Sequence, residues 1–191
     1  MLWRGGAPRY PEDMATYAVF LRGINVGGIN IKMADLRREL HACGFTDAKT
    51  LLATGNAVLT CNLDARAVKR ECENCLRGAF GYDAWVVVLD AARVAKLVAA
   101  CPYPADDKAT HTYVTLSSDP GMLDDLEAAG STLENTTLAR LGPEAIAWVA
   151  PAGGTLDSPF SKLSAKGKYK AATTTRNLRT LIKVRDAAAA L

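Results

Sequence analysis

The 191-residue sequence has no stretch that approaches the ~18 consecutive apolar residues of a membrane-spanning helix. It holds two histidines, His41 and His111, far apart and outside any recognisable metal or triad motif. No metal site is therefore expected from them, and both read as surface or packing residues. Neither a G-x-G-x-x-G nor a complete Walker A loop is present. Paired carboxylates and a Ser/His/Asp set are also wanting, so no catalytic group declares itself. Aromatic residues make up 7% of the chain, which leaves few platforms for stacking successive bases. The opening residues lack the apolar core of a signal peptide, and a cytoplasmic location is the default expectation. Between residues 161 and 185 there is no acidic side chain.

What the chain does have is ordinary for a water-soluble fold: 49% hydrophobic and 23% charged residues with a net charge of +3. Its length suits one domain or two small ones. The Gly- and Pro-containing residues 1–14 read as a flexible extension, with one half expected over 15–90 and a second over 91–191. The acid-free segment carries eight basic residues on a body with an acidic excess. Such a segment suits an anion or a nucleic-acid backbone, and equally the protein's own acidic surface or a partner. Five cysteines without a secretory signal predict reduced thiols. Cys72 and Cys75 form a C-x-x-C inside a helical pattern shared with Val68, Leu76 and Ala79. With no second such pair and no flanking histidine, they read as core thiols rather than metal ligands.

Residues 17–40 organise the first half. Tyr17, Ala18, Val19, Phe20 and Leu21 form an apolar run that predicts a strand buried on both faces. Met33, Leu36, Leu40 and Cys43 mark one face of a helix. The connection between them contains Arg22, Gly23, Asn25, Gly27, Gly28, Asn30 and Lys32. Glycine and asparagine admit positive φ, so successive N–H groups can converge on an anion near a helix start, with Arg22 and Lys32 adding charge. Gly23 and Gly28 have Walker A spacing, but Ile29 and Asn30 replace its lysine and hydroxyl. The same glycines also suit a tight connection that demands nothing beyond backbone geometry.

Further along, Gly44 closes the helix, and residues 50–53 and 57–61 predict strands about a Thr54-Gly55-Asn56 turn. Asp64 caps a helix to about residue 80, and residues 85–89 form another β-favouring run. The order β-α-β-β-α-β is the ferredoxin-like pattern, with parallel pairing expected within each βαβ unit. Asp90 caps a helix ended by Pro102 and Pro104, and residues 111–116 alternate as a strand. Asp119-Pro120 opens the next helix, residues 136–141 and 145–149 suggest a hairpin, and residues 150–158 a loop. Asn177 caps a last helix carrying Leu178, Leu181, Ile182 and Val184. This second series, β-α-β-β-α, predicts a duplication of topology without residue identity.

Four motifs now stand in order: LRGINVGG at 21–28, Thr-Gly-Asn at 54–56, Ser-Lys-Leu at 161–163 and Thr-Thr-Arg-Asn at 174–177. Together they resemble the bacterial proteins grouped as domain of unknown function 1697, over about residues 17–184. Two departures are visible: Thr54 replaces the family's serine with its hydroxyl kept, and Leu178 replaces a tryptophan after Thr-Arg-Asn. The resemblance implies an α+β fold of two ferredoxin-like β-α-β-β-α-β halves with antiparallel or mixed sheets, and it implies no established activity.

The motifs are polar, and in such a layout their loops are expected to meet in a groove between the halves. Its expected members from the first half are Arg22, Gly23, Asn25, Gly27, Gly28 and Lys32, with Thr54 and Asn56 from the turn. From the second half come Ser161, Lys162, Thr175, Arg176 and Asn177. The groove is expected to bind a phosphate-bearing ligand, whether nucleotide, phosphorylated metabolite or nucleic-acid backbone, clamped by Arg22 and Arg176. No cofactor, metal or membrane contact is expected. The other readings are a phosphoryl- or acyl-transfer enzyme, for which Ser161 beside Lys162 on a strand offers a weak nucleophile and amine, and an interaction protein that docks through its basic segment.

Overall fold

The computed structural model describes residues 14–25 and 29–191. The expected extension, apart from Met14, and the glycines Gly27 and Gly28 lie outside them. The first half runs β1 (Ala15–Leu21), α1 (Met33–Ala42), β2 (Lys49–Leu51), β3 (Asn56–Cys61), α2 (Ala65–Phe80) and β4 (Val86–Asp90). Helix α3 (Ala91–Ala100) leads into β5 (Thr110–Ser117), α4 (Pro120–Gly130), β6 (Leu138–Gly142) and β7 (Ala145–Pro151). Two short helices, α5 (Pro159–Ser164) and α6 (Gly167–Ala172), precede β8 (Thr173–Asn177) and α7 (Leu178–Ala189).

The two four-stranded sheets have strand orders β2-β3-β1-β4 and β6-β7-β5-β8, so each half repeats the ferredoxin-like order. Their pairings are antiparallel. The expected parallel pairing within each βαβ unit does not occur. In each half the third strand inserts between the first two, so the strands that a crossover relates are next-nearest neighbours.

Short-range chemistry places the helices. The side chains of Asp64, Asp90, Asp119 and Asn177 accept the first free amides of α2, α3, α4 and α7. Asp90 and Asn177 are also the last residues of β4 and β8, so strand passes directly into helix at both places. Gly81 in the left-handed region ends α2.

Side-chain alternation divides the core in three. Tyr17, Val19 and Leu21 of β1 pack with Leu36 and Leu40 of α1 and Leu76 of α2. Ala18 and Phe20 face the other way, joining Val94 and Leu97 of α3, Leu181 and Val184 of α7, and Val114 and Leu116 of β5. Helices α3 and α7 thus share one core with both sheets. The outer face of the second sheet carries Ile146 and Trp148, covered by Leu123, Leu126, Phe160, Leu163 and Tyr169 from α4, α5 and α6. Leu178, at the position where the family has tryptophan, is buried in the central core.

The thiols require a correction. Cys43 and Cys75 form a disulfide, with Cα atoms 6.1 Å apart, between the end of α1 and the middle of α2. Cys43 lies just past the last helical residue, exposed and beyond the apolar stripe, where it meets the inward face of α2. Cys61, Cys72 and Cys101 are free, and burial pushes the Cys72 thiol up to about 12. Ala79 is exposed rather than inward. The disulfide closes a loop across 32 residues, so reducing it should lower unfolding stability by about 2–4 kcal/mol. Urea midpoints that coincide with and without dithiothreitol would contradict this.

Candidate functional site

Strand β8 is a run of hydroxyls and one guanidinium with no apolar alternation; the sequence marked residues 174–177 as a motif but predicted no strand there, only Asn177 as a helix cap. It pairs with β5 at one edge of the second sheet. Thr174 and Arg176 point into the space between the halves. Arg176 is 6% exposed and spends its N–H groups on neutral acceptors. Nε donates to Asn56 Oδ1 at 2.6 Å and Nη1 to Thr174 Oγ1 at 2.7 Å. Nη2 donates to the carbonyls of Leu21, Thr54 and Gly55 at 2.6, 2.9 and 3.0 Å. Asn56, fully buried, returns its amide to Leu51 O and Thr54 Oγ1. One guanidinium therefore gathers the end of β1, the Thr54–Asn56 turn and β8. Desolvation lowers its pKa to about 10, which leaves it charged at neutral pH with no carboxylate among its hydrogen-bond partners.

The first loop is held as tightly. Asn25 has φ +56°, Gly23 φ +71°. The Asn25 side chain donates to Ile31 O and Ala53 O and accepts from Ile31 N–H at 2.9 Å, closing the loop on itself. Arg22 crosses between the halves: Nη1 donates to Ala171 O, and its guanidinium carbon lies 5.9 Å from the centre of the Trp85 ring. Gly55 (φ +76°) completes the turn, and a Cβ there would sit 2.6 Å from Ile24 Cδ1 and 3.0 Å from Leu21 Cβ. Gly55→Ala should therefore lower stability by about 1–3 kcal/mol, through both backbone strain and overlap. An unchanged thermal midpoint would show that the loop moves aside.

Two cavities flank this junction. The first, about 410 Å³, is lined by Arg22, Gly23, Asn25, Thr54, Thr175 and Arg176 of the predicted set, and by Lys170, Thr173 and Thr174 besides. Among the described residues its lining includes three cations and no carboxylate. The second, about 330 Å³, takes Thr54, Ser161, Thr175, Arg176 and Asn177 from the set and adds Tyr113, Trp148 and Thr180. Asn56 lines neither cavity and is buried as the partner of Arg176. Lys32 and Lys162 line neither cavity: Lys32 is exposed at the start of α1, and Lys162 faces Asp157 at 3.5 Å. Ser161 and Lys162 sit on helix α5, not on a strand. Ser161 turns to the second cavity while its neighbour turns to Asp157, so the hydroxyl and amine are not brought together.

The sequence matches the family described as "Protein of unknown function (DUF1697)" over residues 14–145. The chain belongs to that family. Its fold is shared with the solved structure of a conserved bacterial protein from Streptococcus pneumoniae, at 21% identity and a TM-score of 0.77, over 92% of this chain and 99% of the other. No curated protein matches the chain. Three of this DUF1697 protein's four motifs converge on the junction in full or in part: the first loop, the turn and β8. The Ser-Lys-Leu segment reaches it only through Ser161. Sequence reasoning passed over Lys170, Trp85, Tyr113 and Trp148. Lys170 was visible only as one of eight basic residues, and the aromatics only as strand formers.

Proposed function

We propose that the first cavity, between the two halves, binds a small phosphate-bearing ligand. The observation that carries this reading is the charge of its lining: Arg22, Lys170 and Arg176, with no carboxylate among the described residues. Arg176 is buried among neutral acceptors and acts on the ligand through its charge, because its donors are already engaged. Arg22 and Lys170 supply the N–H groups that meet phosphate oxygens. The threonine hydroxyls of the lining add neutral donors.

A compact ligand fits better than a nucleic-acid backbone because much of the basic segment is neutralised on the protein itself. Lys168 pairs with Asp125 at 3.1 Å, Arg179 with Asp106 at 3.3 Å, and Arg185 with Asp186 at 2.8 Å. Among the described residues no helix is long and apolar enough to cross a membrane.

The test is thermal stabilisation by sugar phosphates and nucleotides against their dephosphorylated counterparts, at low and high salt. Only the phosphorylated members should stabilise, less at high salt. Arg22→Ala and Lys170→Ala should each weaken binding by about tenfold or more, the value of a charge-assisted hydrogen bond, while the protein stays folded. Equal stabilisation by both classes of compound would refute the proposal.

A further inference from the structure

We propose that the second cavity is the ring-binding end of the same site, so that the ligand is a phosphate joined to a planar, uncharged ring, as in a nucleoside monophosphate. The inference rests on the anion-binding reading of the first cavity and extends it. Thr54, Thr175 and Arg176 line both cavities, which therefore adjoin along these residues. Each lies near the lower end of the ~300–1,000 Å³ range of small-molecule sites.

The compartments differ in chemistry. The second is walled by Trp148 and Tyr113, which stack with ring centroids 4.8 Å apart. The polar atoms of both rings are already engaged: Trp148 Nε1 donates to Thr115 Oγ1 at 3.0 Å, and Tyr113 Oη shares a hydrogen with Thr155 Oγ1 at 2.8 Å. Tyr113, half-buried, offers a ligand apolar surface, and the buried Trp148 backs it. Leu156, 83% exposed, stands at the same cavity with its side chain uncovered. Around them are neutral polar groups, Ser161, Ser164, Asn177 and Thr180, of the kind that pairs with the edge heteroatoms of a ring. Among the described residues no carboxylate lines this compartment, and its one charge is the shared Arg176. An apolar wall with hydroxyl and amide groups beside it takes a flat heterocycle, and the adjoining cationic compartment takes its phosphate.

Calorimetric titration of the intact protein with inorganic phosphate, ribose 5-phosphate and the common nucleoside 5′-monophosphates tests this. At least one nucleotide should bind about tenfold or more tighter than ribose 5-phosphate, the gain expected from ring burial and stacking. Ser161→Phe and Thr180→Phe, which fill the compartment from α5 and from α7, should each abolish that gain and leave ribose 5-phosphate binding unchanged. If ribose 5-phosphate binds as tightly as every nucleotide, the ring compartment is refuted and the anion site stands. If none of the phosphates binds, both readings fall together.

Discussion

Arg176→Ala should lower unfolding stability by about 3–5 kcal/mol, because it orphans several buried acceptors at once. The substitution leaves the carbonyls of Leu21, Thr54 and Gly55 and the Asn56 side chain without their donor, in a place that water reaches poorly. Each orphaned acceptor costs about 1–3 kcal/mol before relaxation. Arg176→Lys should recover part of this at most, because a single ammonium cannot serve acceptors arranged around a planar fork. Urea denaturation of the three proteins reads the effect directly. A loss under about 1 kcal/mol for the alanine variant would mean that the junction is held by the cores and not by this guanidinium.

Trp148→Ala should cost a similar amount, about 3–5 kcal/mol. Trp148 is 2% exposed, stacks on Tyr113, packs at 5.4 Å on Phe160 of α5 and donates to Thr115. Its loss should free α5 and α6 from the sheet before the rest of the fold opens, since Phe160 and Tyr169 belong to the same core. Hydrogen exchange across residues 159–172 should then accelerate more than across α1 and α2. Uniform acceleration would contradict this order.

The first half was legible because its signals are local. The run of residues 17–21 is buried on both faces by alternation, and the aspartate caps sit one residue ahead of their helices. The end of the second half was not. Strand β8 has no apolar period, and it is a strand because Thr173 to Asn177 pair with β5 at positions 113–117. Helices α5 and α6 are six residues each, too short for a stripe, and docking of Phe160, Leu163 and Tyr169 holds them. The Cys43–Cys75 disulfide depends on how α1 meets α2, which no spacing within either helix reveals.

The site was half visible in the same way. Polar motifs in loops pointed to Arg22, Asn25, Thr54 and Arg176, and these do meet. Their division of labour could not be read from sequence. Asn25 and Asn56 spend their side chains on the protein, and Arg176 gives its donors to carbonyls, which leaves Arg22 and the unforeseen Lys170 as the cations of the lining that could meet the proposed anion. Lys32 and Lys162, equally cationic in the motifs, look elsewhere.

The proposed anion in the cavity between the halves is open to direct observation. Crystals soaked in tungstate, a heavy tetrahedral oxyanion, test it most directly through anomalous scattering. The account predicts a peak within hydrogen-bond distance of Arg22 and Lys170, beside β8, that disappears in the Arg22→Ala, Lys170→Ala double variant. Peaks confined to Lys162, Lys166 and Lys168, with the cavity empty, would contradict it.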